Sequence, residues 1–171
     1  MSDYRELRIA FTWPEGPIPT GMNDLEGALE DMISSAIDGI DIMSYSHNTD
    51  VGFILNKSLE DAIRRNRPSI RFFTDTEEEA RDLLDKYRGL GSKIESWYWN
   101  RAGNPYSKFH IKAILVDDFK LYMGSANFSV AAMEHSAECG LFMRSRPAAV
   151  SLREYISDLM DCDRLRQIPD K

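Results

Sequence analysis

No apolar run in these 171 residues approaches the roughly 20 needed to cross a bilayer as a helix, so no membrane-spanning segment is expected. The first residues, MSDYRELRIAF, lack the basic start and long apolar core of a secretory signal, which points to a cytoplasmic protein. Cysteine is scarce: Cys139 and Cys162 match no metal spacing and need not pair, so free thiols are expected rather than a zinc module or a disulfide scaffold. Basic residues are in deficit, 21 against 28 acidic, for a formal net charge of −7. That balance argues against broad, non-specific affinity for nucleic acid or an anionic membrane. There is also no biased segment, internal repeat or linker. With 43% apolar residues, the chain reads as one globular domain spanning residues 1–171.

What is there is an alternation of strand and helix patterns. Residues 7–12 (LRIAFT) read as a strand, followed by a loop holding Pro14, Pro17 and Pro19. Asn23 and Glu26 have capping-box spacing, and an apolar stripe from Leu25 to Ile37 predicts a helix that stops at Gly39. Residues 40–46 (IDIMSYS) form a second strand, carrying Tyr45, Ser46 and then His47 at its end. A helix from about Val51 to Asn66, ended by Pro68, leads to a strand over 70–74. Thr76 and Glu79 form another capping box, and the acidic run 77–79 suits a helix N-terminus without implying a metal. A fourth strand covers 93–99. Strands alternating with helices of this length imply parallel βαβ pairing in the first half.

The second half differs. Residues 108–116 and 120–123 read as strands joined by a tight antiparallel turn at Asp117-Asp118-Phe119. A short helix over 128–133, a strand over 138–144 and a last helix from near Pro147 complete the pattern. The expected architecture is α/β: a mixed, mostly parallel β-sheet with helices on both faces.

Chemistry concentrates in SKFHIKAILVDDFKLYMGSANFSVAAMEHSAECGLF, residues 107–142. His110, Lys112 and Asp117 stand as H-x-K-x4-D, followed by Gly124-Ser125-Ala126-Asn127. In a chain of this length the first pattern arises by chance about once in a hundred, and with G-S-x-N nearby roughly once in 10^5. Side chains two apart on a strand share a face, so His110 and Lys112 project together, as do Ser125 and Asn127. Phosphoryl transfer asks for such a set: an imidazole nucleophile, a lysine cation and neutral donors on the non-bridging oxygens. A lone His-x-Lys would read as a packed strand histidine beside a solvated lysine. Before the motif, Arg101, Lys108 and Lys112 interleave with Trp97, Tyr98, Trp99 and Tyr106. This composition fits a phosphate backbone with stacked bases, and equally a set of half-buried strand aromatics beside a solvated loop.

The spacing resembles the HKD motif of the phospholipase D superfamily with its trailing G-S-x-N, and the βαβαβ order before it is similar as well. The resemblance implies a metal-independent phosphodiesterase without cofactor. Superfamily members with two motifs form one active site from both, and small single-motif members pair as homodimers through the HKD face. His47 and His135 begin no H-x-K pattern, so the chain carries one motif and a homodimer is expected. One His110 would form a covalent phosphohistidine, and the other would protonate the leaving group and then activate water. Lys112, Ser125 and Asn127 would bind phosphate oxygens. Asp117 belongs to the motif, but alternation points it away from His110, where the family aspartate braces the backbone. Glu138, on the following strand, would be the carboxylate partner of the imidazole. Tyr45, Ser46, Arg101, Tyr106 and Lys108 are possible substrate contacts, the Tyr-Ser pair because it resembles a segment near the active site of phospholipase D-like nucleases. The resemblance extends to bacterial nucleases of restriction and phage-defence systems, and so to a nucleic-acid substrate and partner subunits of a larger system. No stable membrane association is expected. A cardiolipin-type lipid phosphodiesterase and a non-catalytic nucleic-acid-binding subunit are the alternatives.

Overall fold

The computed structural model describes residues 6–14, 16–46 and 54–170. In chain order these form β1 (Leu7–Phe11), α1 (Leu25–Ser34), β2 (Gly39–Met43), α2 (Asn56–Asn66), β3 (Ser69–Thr74), α3 (Glu77–Tyr87) and β4 (Ile94–Trp99). There follow β5 (Ala113–Val116), β6 (Lys120–Gly124), α4 (Val130–His135), β7 (Cys139–Arg144), α5 (Arg146–Asp161) and β8 (Leu165–Gln167). The strands make one eight-stranded sheet in the order β1-β7-β6-β5-β2-β3-β4-β8. It is the expected mixed sheet, but its parallel share is smaller than expected. Only β2–β3 and β3–β4 pair parallel, because only their connections carry crossover helices. The other five neighbour pairs run antiparallel.

Period-2 alternation divides the core into two layers. Ile40 and Ile42, Ile70 and Phe72, Ile114 and Val116, and Tyr122 and Phe142 face α1, α2, α3 and α4. Met43, Phe73, Ala113, Leu115 and Leu121 face α5 through Ala149, Leu152 and Ile156. Each fully buried Leu, Ile or Phe contributes about 1.5–3 kcal/mol relative to exposure, which makes these two layers the main stabilising term. Across the α5 layer, buried Asp41 takes a two-pronged bond from Arg71, at 2.7 Å to each oxygen, and also meets Arg153 at 3.5 Å. Arg153 donates to the Asp117 carbonyl and pairs with Asp118 as well, so α5 is tied to the sheet by charge besides packing.

Several local expectations are corrected. The cap of α1 is Asp24, not Asn23. The Asp24 carboxylate accepts from the Gly27 N–H at 2.8 Å, while the Asn23 amide donates to the Ile9 carbonyl. That helix also ends at Ser34, short of Ile37, because the N–H groups of Ile37, Asp38 and Gly39 turn to the Asp117 carboxylate. The second helix starts at Asn56, and residues 51–53 of the expected span lie outside the described ones, as does His47. The short helix covers Val130–His135 behind a Ser129 cap. The strand expected over 108–116 is confined to Ala113–Val116, since the Phe109 N–H goes to the Asp75 carboxylate at 2.7 Å instead of a neighbouring strand. The Thr76–Glu79 capping box is present, with the Glu79 N–H donating to Thr76 Oγ1 at 3.2 Å.

Candidate active site

One end of the strands collects the chemistry. Strands β2, β3 and β4 end there, β5 and β7 begin there, and β6 delivers Gly124 to it. Topology thus brings Tyr45, residues 107–112, Ser125 and Glu138 to one place from four separate stretches of chain.

At its centre Lys112 Nζ lies 3.3 Å from both ring nitrogens of His110 and 3.4 Å from the His110 carbonyl. The imidazole packs on the Tyr45 ring, with centroids 5.0 Å apart. Burial lowers the Lys112 ammonium below its usual range, and the Glu138 carboxylate partly offsets this. Lys108 Nζ donates to the Tyr45 phenolic oxygen at 3.2 Å. The Gly124 N–H donates to the Lys112 carbonyl, which links this cluster to the next.

The second cluster surrounds Ser125. Its hydroxyl donates to Glu138 Oε2 in a short bond and accepts from the Cys139 N–H at 3.2 Å, while its own N–H donates to the Cys139 carbonyl. Thr12 anchors Glu138 from the other side: the Glu138 N–H donates to Thr12 Oγ1 at 2.8 Å, and Thr12 Oγ1 donates to the Ser136 carbonyl at 2.6 Å. The sequence reading gave Glu138 the imidazole as its partner; in the structure the carboxylate is bonded by Ser125. Asn127 lies on the same loop with its side-chain oxygen buried and unpartnered among the described residues.

Other expected residues are placed elsewhere or are otherwise engaged. Asp117 sits in the β5–β6 turn at the opposite end of β5, about 13 Å along the strand from Ala113, where it braces three backbone N–H groups. Arg101 is not a free substrate contact. It pairs with buried Asp75 and donates to the carbonyls of Pro105 and Ser107, closing its own loop. Tyr106 stands on that loop 88% exposed, and the Ser46 carbonyl accepts from the Ser44 hydroxyl.

Sequence reasoning missed three contributors. Asp75 fixes both Arg101 and the Phe109 backbone, and therefore the approach to His110. Thr12 reaches Glu138 across 126 positions. Tyr122 lies flat over the cross-strand pair Gly124 and Gly140, where an added Cβ would meet its ring or hydroxyl at 2.2 and 2.1 Å. Its spacing of two from Gly124 was a legible signal that both share a face. Burial, then Glu138 and Cys139, push the Tyr122 hydroxyl pKa well up. Among the described residues no three His, Cys, Asp or Glu side chains gather to hold a metal ion. None of the described helices is long and apolar enough to cross a membrane.

No curated protein matches the chain. Among solved structures it is similar to Nuc, a phospholipase D family member from Salmonella typhimurium, at 20% identity and a TM-score of 0.69, covering 97% of this chain and 99% of that one. It is also similar to NucT from Helicobacter pylori, at 21% identity and a TM-score of 0.64, covering 91% and 97%. Phosphatidylserine synthase from Haemophilus influenzae shares the fold at 13% identity and a TM-score of 0.69, with 98% of this chain matching 41% of that one. The profile described as cardiolipin synthase, PLD-like domain matches residues 29–160, most of the chain. The H-x-K-x4-D and G-S-x-N residues, the eight-stranded mixed sheet and this match lead to one assignment: the chain belongs to the phospholipase D superfamily, in its PLD-like domain family.

Proposed function

We propose that the protein is a metal-independent nuclease that cleaves a phosphodiester of DNA or RNA through a phosphohistidine, as a homodimer of single-domain subunits sharing one active site. The observation that carries this reading is the Lys112 ammonium held 3.3 Å from the exposed His110 ring at the ends of the central strands, beside the Ser125–Glu138 pair. In the first step a ring nitrogen of His110 bonds to phosphorus. The bond to the leaving oxygen breaks with its electron pair, and that oxygen takes a proton from the imidazolium of His110 of the partner subunit. The partner imidazole then removes a proton from water, the water oxygen attacks phosphorus, and the nitrogen–phosphorus bond breaks. Lys112, Ser125 and Asn127 hold the non-bridging oxygens, and Glu138 orients the Ser125 hydroxyl by accepting its hydrogen bond. Asp117 contributes through the backbone it braces.

A bare apolar sheet face supports the dimer. By alternation Leu7, Ile9, Met123 and Leu141 share the α5 side of the sheet, yet α5 packs over β5, β6 and Met143 of β7 and leaves β1 and the Met123 end of β6 largely uncovered. Leu7, Ile9 and Met123 are 64%, 50% and 45% exposed. A contiguous patch of this kind is what a second copy would cover, and it runs through Cys139 to the candidate site.

Cleavage of labelled single- and double-stranded DNA and RNA in excess EDTA, with His110→Ala in parallel, tests the proposal. Cutting by the wild type alone is expected. Equal cutting by both proteins, or by neither, overturns it. One observation favours a second reading, a lipid phosphodiesterase: a cleft of about 470 Å³ lined by Phe11, Trp13, Pro14 and Met22 opens beside Glu138. Release of headgroup or phosphatidate from cardiolipin or phosphatidylethanolamine vesicles, with no cutting of nucleic acid, would select that reading.

A further inference from the structure

The cluster around Tyr45 holds more positive charge than one phosphodiester requires. Lys108 Nζ lies 5.1 Å from the centre of the Tyr45 ring, and Lys112 Nζ lies 5.8 Å from the same centre. Lys93 and Lys120 have carboxylates within 4.0 Å, at 2.6 and 3.5 Å, but no such ion pair reaches Lys108 or Lys112 among the described residues. Two like charges are therefore gathered on one aromatic ring in a chain of net charge −7. In the free protein the ring, worth about 0.5–1 kcal/mol per cation at an exposed site, and the Glu138 carboxylate, which acts on Lys112 without an ion-pair contact, oppose their repulsion. The Tyr45 hydroxyl fixes Lys108 further by accepting its proton at 3.2 Å. An arrangement that keeps two unpaired ammonium groups adjacent is matched to a ligand with two adjacent negative charges.

Resting on the phosphodiesterase reading above, we propose that Lys108 binds the phosphate next to the scissile one along a polynucleotide strand, with Tyr45 as the spacer between the two ammonium groups. Lys112 serves the reacting phosphate and Lys108 its neighbour, so the site takes a chain of phosphodiesters in preference to a single one. Lys108 and His110 are solvent-exposed, and the 100–107 loop beside them presents one large ring, Tyr106, rather than a continuous apolar belt. This favours a strand drawn from water over a headgroup in a membrane.

Lys108→Gln in the full chain tests the assignment by two readouts. The first is equilibrium binding of a fluorescent single-stranded oligonucleotide between about 50 and 200 mM salt. Loss of one phosphate contact is expected to weaken binding and to lower the slope of log K against log salt by about 0.7. The second compares turnover of the oligonucleotide with turnover of bis(4-nitrophenyl) phosphate, a diester with one phosphate. The variant is expected to lose at least about fivefold more on the oligonucleotide than on the reporter. Tyr45→Phe, which keeps the ring, should retain most of the salt slope, and Tyr45→Ala should not. An unchanged slope in Lys108→Gln, or equal losses on both substrates, overturns the proposal. So does a binding defect that appears with cardiolipin vesicles and not with the oligonucleotide. The salt slope reads Lys108 without catalysis: a wild type that binds with the expected slope but cuts nothing defeats the nuclease reading and leaves this contact standing.

Discussion

Replacing Asp117 with alanine removes the acceptor for three backbone N–H groups, those of Ile37, Asp38 and Gly39 at 3.0, 2.9 and 3.4 Å, and an ion pair with Lys120 at 3.5 Å. Asp117 is 6% exposed. A hydrogen bond to a charged acceptor contributes about 1.5–3 kcal/mol, but here three converge on one oxygen, one of them is long, and water reaches the exposed Ile37 side once the carboxylate is gone. The expected cost is about 3 kcal/mol, or a melting temperature lower by about 6–12 °C for a chain of this size. Asp117→Asn keeps an acceptor without the charge and should lose about half as much. Urea unfolding followed by circular dichroism should show the midpoint falling at constant slope. Acid adds a second signature. Burial alone raises the Asp117 carboxyl, but the N–H groups of Asp38, Ile37 and Gly39 and the Lys120 charge outweigh it and hold the carboxyl below its usual value of 3.8. A carboxyl depressed in the folded state contributes fully above its unfolded pKa, and that contribution is lost as pH falls through the folded pKa. The gap between wild type and Asp117→Ala should therefore be constant from pH 7 to about 5 and narrow below about pH 4. A gap under about 0.5 kcal/mol at neutral pH, or one that persists unchanged to about pH 3, would refute the reasoning.

Gly140→Ala drives a Cβ to 2.1 Å from the Tyr122 ring, so it should cost several kcal/mol, on the order of a severe overpacking defect. Tyr122→Leu in the same chain should recover part of that loss in a double-mutant cycle of thermal unfolding, whereas strict additivity would show the two residues to be uncoupled. Asp41→Ala leaves the guanidinium groups of Arg71 and Arg153 without their shared carboxylate. It should lower stability by about 2–4 kcal/mol and speed amide exchange in α5, and unchanged α5 protection would count against the clamp. Ile9→Lys places a charge in the middle of the bare sheet face; the expected result is a sedimentation mass of one chain where the wild type gives two, and a wild-type mass of one chain already rules the shared site out.

Local chemistry was legible in the sequence because it depends on short spacings. Thr76 and Glu79 cap a helix from three positions apart, and Lys112 reaches the His110 ring from two. The turn residues Asp117-Asp118-Phe119 between the strands read over 108–116 and 120–123 likewise gave a correct antiparallel pair with Asp117 in the turn, where φ is 52°, although the first strand is shorter than read. The sheet's proportions were less legible. Helical crossovers announce parallel neighbours, but β1 pairing with β7 and β8 pairing with β4 join segments far apart in the chain, and β8 is only three residues long. No local periodicity encodes such partners.

The sequence by itself determined the superfamily and singled out a candidate set, His110, Lys112, Ser125, Asn127 and Glu138, since a fixed spacing of chemically matched residues can be read without knowledge of the fold. Only the tertiary structure decided which partner each one meets. Glu138 is bonded by Ser125, Arg101 is held by Asp75 inside its loop, Asp117 braces a distant turn, and Tyr45 gathers Lys108, His110 and Lys112 from 63, 65 and 67 positions away. Those pairings depend on strand order and loop closure, which summed packing across the whole sheet sets and no short stretch of residues contains.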